Sequence, residues 1–389
     1  MHELKAKKQK EAINIWAKKG FVGSIIAGTG FGKSRVGVIS VGETIRRNRD
    51  NMALVLVPTV KLKDQFREEF IKWEYEDILD NVKFMCYQSA YKLEGRHYDI
   101  VICDEVHLGL SPEYRKFFQK NGYKRLLCMT ATIPEEKEYA DYLHNLAPVV
   151  YKISLNQCIK LGLVSPYEIV CISVKLTKSE QKEYDRAHKS FLYYKYELGQ
   201  FNAFNEANKI LGDDSAYPED TRKAIMFYRA IKKRKNVVDT ASNKITVLQK
   251  IVLSNPYKKI LTFGGSNEFT NKMCESITPL GATYHSNMTK KQRNLSLEKF
   301  NDGSVRVLCS TKALNQGFDV SDAQIGIICG LTSKSLTMIQ RIGRLLRYED
   351  DKIGKIVIVY VSDSQEVKWL KNAIKSFNNI RYIDSIKKL

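Results

Sequence analysis

The sequence predicts an α/β chain made of two parallel-sheet halves, with a helical insert at the start of the second. Three observations carry this reading. Short apolar runs at Val22–Ala27, Ala53–Pro58, Ile100–Cys103 and Leu126–Thr130 alternate with helix-like stretches such as Lys33–Arg47 and Leu62–Trp73, the rhythm of strands joined by covering helices. The rhythm returns at Lys259–Phe263, Val305–Cys309, Ile325–Cys329 and Lys355–Val361. Between the halves, Leu176 to about Val252 is rich in Lys, Tyr, Phe and Asn and nearly free of Gly and Pro outside Leu211–Pro218, so it reads as helical. The strand-like run Tyr167–Val174 leads into this insert and is assigned to the second half. The boundary falls near Gly162–Pro166, giving expected domains of residues 1–165 and 166–389.

A chain of 389 residues suits two domains of ordinary size, and 43% hydrophobic residues are enough to fill their cores. The formal charge is +20, from 63 Lys and Arg against 43 Asp and Glu. Such a surplus concentrates polyanions, of which nucleic acid is the commonest; a merely solubilising basic surface is the alternative. The eight cysteines form no CxxC pair, and Cys103 and Cys128 lie in apolar runs as small hydrophobes, usage that fits a reducing cytosol. The amino-terminal residues MHELKAKKQKEAINIW lack the apolar core of a signal peptide, and no apolar run approaches the roughly 20 residues of a membrane span. The expectation is a soluble cytoplasmic protein, in the host cytoplasm if the source is a virus. The compact, Lys- and Asn-rich chain suggests a phage, another virus or an AT-rich bacterium.

Ala27-Gly28-Thr29-Gly30-Phe31-Gly32-Lys33-Ser34 follows an apolar run and opens an amphipathic helix, the context of a phosphate-binding loop. Glycines 28, 30 and 32 would let backbone N–H groups converge on phosphate oxygens, helped by the helix dipole. Lys33 would reach the β- and γ-phosphates, and the Ser34 hydroxyl would hold Mg²⁺. Alanine stands where the usual pattern begins with glycine. Asp104-Glu105-Val106-His107 follows the apolar strand Ile100–Cys103. Asp104 would bind Mg²⁺ through water, while Glu105 would orient and deprotonate an attacking water. A charged strand end before a surface loop is the bland alternative, and the upstream phosphate loop argues against it.

On these and further segments the chain resembles the superfamily-2 helicases, in family order over nearly its whole length. Ala27–Ser34 resembles motif I, and Val57-Pro58-Thr59 with Leu62 and Gln65 resembles motif Ia. Tyr87-Gln88-Ser89 resembles the strand-contacting segment that follows, Asp104–His107 motif II in a DEVH form, and Thr130-Ala131-Thr132 motif III. Leu261–Gly265 resembles motif IV, and Ser310-Thr311 with Gly317-Phe318-Asp319 resembles motif V. Gln340-Arg341-Ile342-Gly343-Arg344-Leu345-Leu346-Arg347 resembles motif VI. The resemblance implies two RecA-like domains that close over ATP and Mg²⁺. Arg344 and Arg347 would reach the γ-phosphate, Gln340 would sense it with motif II, Asp319 would receive the ribose, and Gly317 would allow close approach. His107, Thr130 and Thr132 would couple closure to strand binding. Gln9 stands where many relatives place an adenine-reading glutamine; a glutamine on an exposed helix face is the alternative.

The resemblance also implies a single strand bound mainly through phosphates, with Pro58, Thr59, Gln88, Gly264, Gly265 and Thr311 lining the track. In the insert, aromatics among lysines would either stack on bases or pack. Phe191, Tyr194, Leu198 and Phe201 recur at helical spacing, which favours a packed face. Arg229–Lys235 reads as a solvated basic face, with phosphate contact as the alternative. The function expected is an ATP-dependent DNA helicase or translocase acting on single-stranded or branched DNA, monomeric and open to partner proteins. An RNA helicase, or the motor subunit of a restriction or antiviral complex, is the alternative. Intact ATPase motifs argue against a non-enzymatic clamp.

Overall fold

The computed structural model describes residues 2–28, 30–134, 136–163, 167–213, 215–311, 323–332, 354–375 and 377–384. They form two compact units that change over at Tyr167 and Glu168.

The first unit contains strands β1 (Val22–Ala27), β2 (Ala53–Val57), β3 (Val82–Cys86), β4 (His97–Tyr98), β5 (Ile100–Cys103), β6 (Gly122–Tyr123), β7 (Leu126–Thr130) and β8 (Val149–Ile153). Its helices are α1 (His2–Lys18), α2 (Lys33–Arg47), α3 (Val60–Lys72), α4 (Tyr87–Ala90), α5 (Pro112–Lys120), α6 (Lys137–Leu146) and α7 (Leu155–Lys160). Six strands pair in the order β3-β2-β5-β7-β1-β8, all parallel. Every residue of β2, β5 and β7 is buried, as expected for parallel strands covered on both faces. Parallel pairing also brings the carboxyl ends of β1, β5 and β7, at Ala27, Cys103 and Thr130, to one edge. That is where open α/β sheets bind ligands.

The second unit begins with β9 (Tyr167–Val174), then α8 (Lys178–Glu197), α9 (Ala203–Leu211), α10 (Pro218–Asp239) and α11 (Ser242–Leu253). There follow β10 (Ile260–Phe263), α12 (Asn267–Glu275), β11 (Gly281–Tyr284), α13 (Lys290–Asn301), β12 (Val307–Ser310), β13 (Ile325–Ile328), β14 (Gly354–Val361), α14 (Gln365–Ile374) and β15 (Ile380–Ile383). The sheet order is β11-β12-β10-β13-β14-β9-β15. The neighbours β11–β12, β12–β10, β10–β13, β13–β14 and β9–β15 pair in parallel. Both units are RecA-like α/β layers.

The insert divides into an outer and an inner part. Val247, Leu248, Ile251 and Val252 of α11 join the core of the second sheet, and Lys244, fully buried, donates to Glu366 Oε1 and to the Cys329 carbonyl, each at 2.8 Å. Helices α8 to α10 build a separate small core of Leu198, Ala203, Ala207, Ala224 and Phe227, with Phe191 and Tyr194 packed against it. The expected packed face thus holds for Phe191, Tyr194 and Leu198. It fails at Phe201, which is 95% exposed. The helix ends at Glu197, and Gly199 (φ 81°) and Gln200 (φ 44°) turn the chain away, so the 3.6-residue period no longer applies. Arg229–Lys235 is also only partly a solvated face. Arg234 stacks on Phe191 at 4.0 Å and meets His188 Nδ1 at 3.1 Å, while Lys235 pairs with Asp239.

Candidate functional site

The loop joining β1 to α2 is held from two sides. Gly28 lies so close to α7 that a Cβ there would stand 2.8 Å from Leu155 Cα, and its N–H donates to the Ile153 carbonyl at 3.1 Å. This corrects one expectation: Gly28 allows close packing, and its amide is not offered to phosphate. Gly32, at φ +87°, caps α2 without a side-chain hydrogen bond. Gly32 has no side chain with which to cap the first N–H groups of α2, which suits an anion-binding helix start. Lys33 folds back over the loop, its Nζ donating to the Ala27 carbonyl at 3.1 Å. Phe31 is fully buried, its ring 6.1 Å from Tyr151. Thr29 lies outside the described residues.

Gln9 is not on an exposed face: it is 1% exposed. Its Nε2 donates to the Phe31 carbonyl at 2.8 Å and approaches that of Gly32 at 3.4 Å, and its Oε1 accepts from Arg35 Nη1 at 3.0 Å. The Arg35 guanidinium in turn lies 4.0 Å from the centre of the Trp73 ring. α1 therefore reaches the phosphate loop through a buried amide that bonds the loop backbone itself.

β7 separates β5 from β1 in the sheet, so Asp104-Glu105 and the loop rise from strands two positions apart on the same edge. Asp104 is 8% exposed, and its carboxyl pKa is pushed up to about 7 by burial, then by Glu105, against the pull of Lys33. Glu105 adopts left-handed backbone (φ 45°, ψ 50°), uncommon for a residue with a side chain and characteristic of functional turns. Among the described residues its Oε2 is buried without a hydrogen-bond partner, and it stands 3.4 Å from His107 Nδ1. His107 Nδ1 is 2.9 Å from Thr130 Oγ1, whose own proton goes to the Thr132 carbonyl at 3.1 Å. Donor bookkeeping therefore places the His107 proton on Nδ1. Burial lowers the His107 pKa, so the ring is neutral near pH 7. The structure thus joins Glu105, His107, Thr130 and Thr132 into one chain of contacts. Two crowded carboxylates beside a lysine and a helix start capped only by a glycine fit a magnesium nucleotide.

The crowding has a measurable cost. A carboxyl whose folded pKa lies above its unfolded value contributes stability below the unfolded pKa and loses it as pH rises through the folded one. In chelator, Asp104→Asn is therefore expected to raise stability at pH 8 by on the order of 1–4 kcal/mol. The gain should shrink as pH falls toward 4, and ATPase activity should be lost. Thermal unfolding at both pH values checks this; a variant less stable than wild type at pH 8 would show that Asp104 stabilises the fold.

On the first unit, Thr59 caps α3, accepting from the Leu62 N–H at 3.4 Å, and Gln88 Nε2 donates to the Pro58 carbonyl at 3.1 Å. These three candidate strand contacts are therefore adjacent. On the second unit, two expected contacts are corrected. The Gly264 N–H is spent on the Ser310 carbonyl at 2.8 Å, and the Thr311 hydroxyl donates to Asn267 Oδ1 at 2.7 Å. The pair Gly264-Gly265 instead makes room for neighbours: a Cβ on Gly265 would lie 2.8 Å from Asp239 Cγ, and one on Gly330 would lie 2.4 Å from the Gly265 nitrogen. Gly317, Asp319, Gln340, Arg344 and Arg347 lie outside the described residues. Sequence reasoning missed the Thr311–Asn267 contact and the Arg35–Trp73 support of Gln9. A polar residue directly after a Ser N-cap at a strand end was the available signal for Asn267.

Residues 4–135 match the family model described as type III restriction enzyme, res subunit, and residues 243–349 match the helicase conserved C-terminal domain. The chain is 28% identical over 371 residues to the DNA 3'-5' translocase XPB2 of Sulfurisphaera tokodaii, covering 90% of this chain and 80% of that protein. It is 23% identical over 286 residues to the DNA 3'-5' helicase XPB of Mycobacterium tuberculosis, covering 73% of this chain and 44% of that one. Among solved structures, the Hef helicase domain of Pyrococcus furiosus superposes with a TM-score of 0.58 at 14% identity, over 93% of this chain and 97% of that one. The Dbp5 protein of S. cerevisiae bound to RNA and ADP BeF3 gives 0.61 at 14% identity, over 98% and 90%; at this identity both report the fold alone. Two RecA-like sheets, with a phosphate loop and an Asp-Glu pair on one edge of the first, define a nucleotide-driven motor. The two matched domains are those of superfamily-2 helicases.

Proposed function

We propose that this protein is an ATP-dependent DNA translocase or helicase. The observation that carries the chemistry is the shared edge of the first sheet, where the α2 start, Lys33, Asp104 and Glu105 converge. Lys33 and the α2 amides hold the β- and γ-phosphates, and Ser34 and Asp104 hold Mg²⁺, which supplies charge neutralisation at the transferred phosphate. Glu105 takes the proton of the attacking water, and the His107–Thr130–Thr132 chain links that carboxylate to the end of β7. Thr29, Gly317 and Asp319 complete nucleotide binding, and Gln340, Arg344 and Arg347 act on the γ-phosphate. Gln9 serves the nucleotide site through the loop it bonds. The similarity to proteins named DNA 3'-5' translocase and helicase, together with the +20 charge, supports DNA as the substrate. The match of residues 4–135 to a restriction-enzyme subunit family favours a second reading, a motor subunit that translocates without unwinding by itself.

ATP hydrolysis is expected to rise severalfold on adding single-stranded or forked DNA and much less with RNA of the same length. A strand that favours the hydrolysis-competent state must be favoured by it in return. Equal rates with and without any nucleic acid would sink the proposal, and stimulation by RNA alone would transfer it to RNA. Stimulation without strand separation would select the second reading.

A further inference from the structure

The second unit must offer hydrogen-bond donors if it holds a strand through phosphates, and two of the expected donors are already spent. Thr311 is 5% exposed, and its hydroxyl has one proton and gives it to Asn267 Oδ1 at 2.7 Å. That contact fixes the Asn267 amide, whose Nδ2 donates one hydrogen, at 3.5 Å, to the Ser286 hydroxyl on the exposed turn after β11 and keeps a second. Four residues further along the same face of α12, Asn271 Oδ1 meets His285 Nε2 at 2.9 Å. Asn267 is thereby held between the carboxyl ends of three neighbouring strands: β10, which precedes it, β11 through Ser286, and β12 through Thr311. The adjacent Glu268 carboxylate is drawn back along the helix to Lys272 at 2.8 Å.

We infer that the Asn267 side-chain amide is the phosphate donor of the second unit and that Thr311 is its positioning residue. This rests on the nucleic-acid reading above. An amide with its oxygen engaged by a buried hydroxyl can present only its N–H edge to a ligand, and an anionic oxygen is the acceptor that edge suits best. A neutral donor reads phosphate without releasing counterions, so it adds affinity with no added salt dependence.

Asn267→Asp separates this role from a structural one. The aspartate keeps an oxygen for Thr311 and adds favourable negative charge to the first turn of α12, so Tm should hold or rise. Affinity for a fluorescent oligo-dT strand, measured by anisotropy without nucleotide, should fall by tenfold or more. Asn267→Ala should weaken binding about tenfold with an unchanged salt slope, and Thr311→Val should weaken it less. If Asn267→Asp binds the strand like wild type, or if Asn267→Ala alone loses binding together with stability, Asn267 only braces Thr311 and the inference is overturned. If wild type binds no strand at all, the reading of the whole protein fails instead.

Discussion

Glu105→Gln is expected to lower ATP turnover by about two orders of magnitude or more while leaving nucleotide and DNA affinity close to wild type. The substitution keeps the size of the side chain and removes its basicity together with its charge. The local geometry should survive it. The left-handed backbone at Glu105 is set by the turn leaving β5, and the Asp104 N–H is anchored to the Leu56 carbonyl at 2.9 Å. Tyr87, fully buried beneath, donates its hydroxyl to the Asp104 carbonyl at 2.9 Å. Among the described residues, Glu105 Oε2 is buried without a hydrogen-bond partner, so the carboxylate is not spent on a neighbour there. Lys33→Ala should behave differently, weakening nucleotide binding as well as turnover. Steady-state kinetics paired with nucleotide titration separate the two. Wild-type turnover in Glu105→Gln would move the role of general base elsewhere.

Arg344→Ala, or Arg347→Ala, should reduce kcat by a factor on the order of 10²–10³. The two arginines are three residues apart within the match to the helicase C-terminal family, and both are assigned to the γ-phosphate by their place in motif VI. Their charge matters most as negative charge shifts toward the β–γ bridge in the transition state. ATP affinity should therefore change far less than turnover. Arg344→Lys should rescue poorly, because a point charge cannot copy a planar fork of donors. DNA affinity without nucleotide should stay near wild type. Loss of DNA binding with normal basal hydrolysis would place the arginines on the strand.

Much of this protein was legible in its sequence. Apolar runs of four to six residues became the buried parallel strands β1, β2, β5 and β7, within a residue of the expected limits, because a strand covered on both faces admits little else. The placing of the glycine-rich loop and the Asp-Glu pair at strand ends was legible for a related reason. Each is a contiguous segment whose chemistry depends on its own backbone: positive φ at Gly32, and two acids at the end of one strand.

Contacts between distant segments were decided by tertiary structure alone. Gln9 meets the loop across 22 residues, and Thr311 meets Asn267 across 44. No local pattern records that one hydroxyl proton is already spent, or that an amide on α1 is buried. Phe201 shows the same limit at short range: its spacing continued the pattern of α8, but a helical period holds only while the helix lasts, and the turn at Gly199 ends it. Sequence by itself determined the strands, the motifs and the motor they imply. Which donors and faces remain available to a ligand was settled only when the chain packed, because availability is what is left after every neighbour has taken its partner.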